Sequence, residues 1–259
     1  MRELVPQSAP CYTDTVSSIS FSWRAVAALV FSLSVSLLGP GPAPAAQSSP
    51  SAKSLARLLQ EHYRQPRTLQ AVFLERYSEG PKQARIESGT VYFRRPGQMR
   101  WEYDSPEKKL FLVDGQTTWF YVPYDHTVTK APVKESSDWR TPLALLTGKA
   151  DLPRLCSQID LIDQTGLPPG HAVLRCVPKQ EKEKGPAGAE LDYTEVLLEV
   201  DTSTGELARI EIRQPGGIEL EYRFGNWQSD IPLAANLFRF QVPAGVAIVD
   251  GSSFAQPAL

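Results

Sequence analysis

The sequence predicts a mainly β protein: about eleven antiparallel strands in a meander that curls because sheets twist, with a helix on the concave face as lid or plug. Three observations carry this. Apolar residues recur at helical spacing before Pro66 and with a period of two from Thr68 onward. The alternating runs are short and separated by turn residues, among them Gly80-Pro81, Pro96-Gly97 and Asp114-Gly115. Finally, 22 prolines and 17 glycines against 42% hydrophobic residues fit a chain with many turns.

In chain order, residues 1–45 read as a secretory signal peptide. Arg2 and Arg24 flank a long polar n-region, Ala25 to Leu38 (AVAALVFSLSVSLL) is apolar, and Ala43-Pro44-Ala45 is a small-x-small cleavage site. A spanning helix would need about 20 apolar residues, more than this run supplies. No cysteine follows the run, so no lipidated N-terminus is expected. A soluble, exported protein follows, cleaved near Ala45 and placed in the periplasm. Residues 46–54 are a linker, 55–250 a single domain and 251–259 a tail.

Within the domain, "SAKSLARLLQEHYRQP" places Leu55, Leu58, Leu59 and Tyr63 on one helical face. Strands follow at Leu69 to Tyr77, Gln83 to Arg94, Gln98 to Tyr103, Lys109 to Val113 and Thr117 to Pro123. The Asp-Gly pair is the best single hairpin signal. Thr141 as N-cap, Pro142 in the first turn and Gly148 beyond the end predict a short helix carrying Leu143, Leu145 and Leu146. Cys156 and Cys176 lie symmetrically about Gly166. Pairing 155–162 with 171–177 would bring them together as a structural disulfide, worth about 3 kcal/mol. "KQEKEKGPAGAE" reads as an exposed loop. The last strands are Tyr193 to Val200, Leu207 to Gln214, Ile218 to Phe224 and Phe238 to Val242.

The net charge is -2, and it does not change when residues 1–45 are removed. That near-balance argues against nucleic acid and anionic membrane surfaces as partners. His62, His126 and His171 are far apart, so no metal cluster or cofactor is expected, and no nucleophile elbow or phosphate-binding glycine loop is present. Asp125 and His126 are adjacent on an extended segment and point apart, which disfavours a triad. Nothing asks for an enzyme.

Five stretches carry a resemblance: "LQAVFLERY", "GTVYFRRPGQMRWEY", "LVDGQTTWFYVP", "TPLALLTG" and "FRFQVPAGVAIVD". Together they resemble the periplasmic outer-membrane lipoprotein carrier (LolA) family, from about Leu55 to Asp250. The resemblance implies an incomplete β-barrel closed by a helical lid. It also implies a carrier that takes lipoproteins from an inner-membrane releasing transporter to an outer-membrane receptor. The family's lid-holding arginine, which precedes a proline, would fall on Arg95; the cysteine pair is outside the pattern.

The residues supply a reason for such a device. Exposing acyl chains to water costs about 0.8 kcal/mol per CH₂, so transit needs a container. Val91, Phe93, Met99, Trp101 and Tyr103 would line a hollow with non-directional contacts, and Leu143 to Leu146 would cover it when empty. Arg95, on the parity of Val91 and Phe93, would donate to carbonyls of the lid, whereas Arg94 would point outward into solvent. Strand 117–122 is apolar on both faces, which leaves its inner side open. Other readings remain: a half-barrel that senses envelope stress, a carrier of another lipid, or a lipid hydrolase lacking a visible nucleophile. A monomer is expected.

Overall fold

The structure is a computed structural model that describes residues 50–80, 84–133, 145–146, 151–179 and 193–251. The signal-like segment, the tail beyond Gly251, Leu143 and most of the predicted 141–148 helix lie outside them.

The chain opens with α1 (Ala52–Arg64), whose N-cap Ser51 accepts from the Ser54 amide and whose Leu55, Ala56, Leu59 and Tyr63 are buried. Next come β1 (Thr68–Glu79), β2 (Arg85–Arg94), β3 (Gln98–Ser105), β4 (Lys109–Val113), β5 (Thr117–Val122) and β6 (Thr127–Pro132). A single helical turn, α2 (Leu152–Leu155), leads into β7 (Cys156–Ile162) and β8 (His171–Pro178). The chain finishes with β9 (Glu195–Asp201), β10 (Leu207–Gln214), β11 (Ile218–Ser229) and the short β12 (Ala247–Asp250).

All twelve of these strands form one open, curved sheet in the order β12-β6-β5-β4-β3-β2-β1-β11-β10-β9-β8-β7. It consists of two meanders, β1 to β6 and β7 to β11, joined where β1 pairs antiparallel with β11. Among the described residues, every pairing is antiparallel except β12 with β6.

Three strand expectations change. Phe238 to Val242 is not a strand: Ala235–Phe238 is a 3-10 turn, and the chain then crosses the outer face of the sheet. Phe238 and Phe240 do alternate, but both pack onto a sheet face rather than marking a paired edge. In its place β12 forms further on, and β6, rich in β-branched residues, has no counterpart among the expected strands.

Side-chain parity separates two faces. Phe73, Val91, Phe93, Trp101, Tyr103, Phe111, Ile210, Ile212, Leu220 and Tyr222 join the central core on the inner face, with Phe120 packed against it. Outward, Leu112 and Val128 are fully buried under the segment that follows β11. Arg94 Nη2 donates to the Ala234 carbonyl at 2.7 Å, and Arg94 lies 4.3 Å over the Phe238 ring. Arg100 Nη1 donates to the Leu237 carbonyl at 3.0 Å. Phe240 stacks near Trp119 and Tyr121, at 5.3 and 5.5 Å. Arg94 therefore points outward as expected, where, half-buried, it also ties down a returning strap. The same strap explains why β5 is apolar on both sides.

Over β8 to β11 the outer face is charged instead. Arg209, 4% exposed, binds Glu199 at 3.0 Å and Glu211 at 2.5 Å, and its Nη2 donates to Gln164 at 2.6 Å. Three carboxylates around one guanidinium keep it charged despite burial.

Cys156 and Cys176 form the expected disulfide, with Cα atoms 5.4 Å apart. They are not directly opposite. Cys176 pairs with Ile159 and Cys156 with Pro178, across an irregularity between Cys156 and Gln158.

Candidate functional site

The inner face is built around Trp101. Its ring lies 4.8 Å from Phe73, 6.2 Å from Phe93 and 5.3 Å from Tyr222. Phe73 also meets Tyr103 edge-on at 5.0 Å. The register produces this column: Val91 pairs with Trp101, Ala71 with Val91 and Phe73 with Phe224. Gly89 makes room for the bend, since a Cβ there would sit 1.8 Å from the Glu102 carbonyl oxygen, beside the irregularity at Ser88 and Gly89.

Of the expected lining residues, Val91, Phe93, Trp101 and Tyr103 are buried in the core cluster, and Met99 packs against it half-buried. Leu145 and Leu146 join the same cluster at 2% and 0% exposure. Cys156 and Cys176 reach its margin. Leu143 lies outside the described residues. Phe73, Tyr222 and Phe224 belong to the same surface and are absent from the residues expected there; the alternation in "LQAVFLERY" and "IELEYRF" carries the signal.

A helix covers part of this face. Tyr63 stacks edge-on against Trp227 at 5.3 Å, and its hydroxyl accepts from the Leu207 amide at 3.0 Å. His62 Nδ1 donates to the Thr204 carbonyl at 2.9 Å. The turn carrying Thr204 touches α1 so closely that a Cβ on Gly205 would lie 2.7 Å from the Leu58 carbonyl oxygen; its φ of +79° suits glycine. Gln60 Oε1 accepts from the Leu152 amide at 3.0 Å and so links α1 to α2.

Arg95 closes the other end of α1. Its Nη1 donates to the carbonyl of Arg64, the last residue of the helix, and its backbone amide donates to the Arg67 carbonyl at 3.0 Å. The Nη2 atom is buried without a partner. Burial, and then the nearby Arg64 charge, push the Arg95 pKa down. Among the described residues the acceptor of the Arg95 side chain is a carbonyl of α1; Leu143 and Ala144 of the expected lid lie outside them. Chain geometry accounts for this. Thr68, the first residue of β1, pairs with Arg94, so the end of α1 must lie beside Arg95.

One group on the inner face breaks the apolar pattern. Glu75 is 1% exposed; its Oε2 accepts from the Tyr103 hydroxyl at 2.8 Å, and its Oε1 has no partner. Directly across the ladder stands Glu87, held by Lys109 Nζ at 2.5 and 2.6 Å. Burial raises the Glu75 pKa, and the Glu87 charge adds to the effect against the Tyr103 hydrogen bond.

Comparison with known proteins identifies the family. The family described as outer membrane lipoprotein carrier protein LolA matches residues 64–241. The outer-membrane lipoprotein carrier protein of Methylococcus capsulatus is 30% identical over 185 residues, covering 71% of this chain and 82% of that protein. That of Methylobacillus flagellatus is 28% identical over 172 residues, covering 66% and 76%. A solved structure of a conserved protein from Thermus thermophilus aligns at 12% identity and TM-score 0.48, covering 77% of this chain and 98% of that one. With the family pattern spanning most of the folded domain, the chain belongs to the outer-membrane lipoprotein carrier (LolA) family.

Proposed function

We propose that this protein carries lipoproteins through the periplasm with their acyl chains sheltered against the inner face of the sheet. The observation that carries the reading is the covering of that face. The aromatic column around Trp101 lies under a core to which α1 is tied by a few polar bonds and apolar packing. A chain of about 16 carbons gains more than about 10 kcal/mol on leaving water, by the figure of ~0.8 kcal/mol per CH₂. The charge-assisted bond from Arg95 is worth about 1.5–3 kcal/mol. Acyl burial can therefore displace the cover without ATP, while contacts lacking direction leave the cargo free to depart.

Family membership supports lipoproteins as cargo. In this reading, residues 1–45 direct export and are removed near Ala45. The mature monomer then receives cargo from an inner-membrane lipoprotein-releasing transporter and yields it to an outer-membrane receptor. Val91, Phe93, Met99, Trp101, Tyr103, Leu143, Leu145 and Leu146 contact the chains, and Arg95 latches the cover. No catalytic step is involved. The test is to incubate the mature protein with spheroplasts making a labelled lipoprotein. Appearance of that lipoprotein in the soluble fraction as a 1:1 complex supports the function; failure to release any lipoprotein refutes it.

A further inference from the structure

We infer that Glu75 is a hydrogen-bonding site for the ester or amide carbonyl at the polar end of a bound acyl chain. The inference rests on the carrier reading and adds to it a polar contact and an orientation of the cargo.

Four observations carry it. Glu75 lies on the parity of Ala71 and Phe73, so its side chain shares the face that holds Trp101 and Tyr222. One carboxyl oxygen is engaged by the Tyr103 hydroxyl, and the other is buried with no partner. A buried polar atom left unpaired is costly, and in a binding protein it points to a group supplied by the ligand. Lastly, Glu87 sits in register beside it and is already claimed by Lys109 from β4 and, at 3.5 Å, by Arg85. Burial and the adjacent Glu87 carboxylate both favour the protonated form of Glu75.

A neutral carboxyl facing an apolar lining offers one O–H donor. Tyr103 donates to its other oxygen, so the chemistry open to a ligand is that of an acceptor: a carbonyl. The place of Glu75 along β1 sets the direction. Beyond it come Tyr77 and the exposed Arg85, whose guanidinium lies 5.4 Å from the Tyr77 ring. In the opposite sense come Phe73, Ala71 and Leu69, and then the Arg95 end. The carbonyl would rest at Glu75 with the head leaving past Tyr77 and Arg85, and the tail would run along the aromatic column toward the end of α1. Burial is the main influence on the protonation of Glu75; the Tyr103 hydrogen bond opposes it, Glu87 adds to it, and Lys109 and Arg85 oppose it, with Tyr222 facing Glu75 from β11.

Methyl decanoate and dodecane, matched in length, would be compared as competitors of a bound fluorescent naphthylamine dye, in the wild type and in Glu75→Gln and Glu75→Leu. One neutral hydrogen bond predicts that the ester-over-alkane preference is about 2- to 10-fold larger in the wild type than in Glu75→Leu. The carboxamide of Glu75→Gln keeps both an acceptor for Tyr103 and a donor for the ester, so its preference should persist. Equal preferences in wild type and Glu75→Leu would overturn the assignment. Should the dye itself fail to bind the wild type, the carrier reading fails first, and this inference with it.

Discussion

Replacing Arg95 with leucine should free the C-terminal end of α1 while leaving the sheet intact. The bond lost is a guanidinium donating to the Arg64 carbonyl at a helix C-terminus, where a positive charge also meets the negative end of the helix dipole. Such contacts contribute about 1.5–3 kcal/mol and 0.3–1 kcal/mol. Two features reduce the sum. Arg95 is only half-buried, so solvent screens it, and its Nη2 is unpaired, so the wild type already carries a desolvation cost that leucine removes. A net loss of about 1–2 kcal/mol remains, which multiplies the open population of α1 roughly 5- to 30-fold. Hydrogen exchange followed by mass spectrometry measures this. Amides of Leu58 to Tyr63 should exchange faster by that factor, and those of Leu207 to Ile212 should not change. Unchanged exchange in α1 refutes the latch. Equal acceleration in helix and sheet also refutes it, because Arg95 would then support the whole fold rather than its cover.

Further outcomes concern stability. Because burial holds the Glu75 pKa above its unfolded value, its contribution is complete below about pH 4.3 and is lost as pH rises through the folded pKa. Glu75→Gln should therefore gain stability over the wild type as pH goes from 4 to 8, seen in urea midpoints; a constant difference would contradict the burial argument. Replacing Cys156 and Cys176 together with serine should cost about 3 kcal/mol for a loop of this size, and reductant should destabilise the wild type but not the variant. Phe238→Ala, at a site 1% exposed on the outer face, should cost about 3–5 kcal/mol yet leave dye binding to the inner face unchanged.

Period-two spacing sets which side chains share a face, and this is why Val91, Phe93, Trp101 and Tyr103 can be assigned together from the sequence. The same spacing does not reveal what an extended segment pairs with. Phe238 and Phe240 alternate as strand residues do, but their partners are Arg94, Trp119 and Tyr121 across a sheet face. The tie that Arg94 makes is hidden for the same reason: its acceptor, Ala234, lies 140 residues away. Strand 117–122 is undecidable from sequence because its outer side chains meet that same returning segment. The Arg64 carbonyl that Arg95 meets is not legible from the sequence, because it depends on where α1 ends relative to β2. Glu75 is legible as an acid on an apolar parity; its unpaired oxygen is not, since that depends on Glu87 and Lys109 being engaged with each other.

The seam between β1 and β11 joins residues roughly 150 positions apart, and among the described residues no other strand pairing links the two meanders. A growing chain therefore completes β1 to β6 long before β11 exists, and during that interval Phe73, Trp101 and Tyr103 have no Tyr222 or Phe224 to meet. Closing so long a loop is slow, and the bare aromatic surface is prone to sticking to other molecules while it waits. The surface that would later hold a guest is thus a hazard at birth. A chaperone that keeps the newborn chain extended until residue 229 has emerged would serve this protein more than one whose halves fold independently.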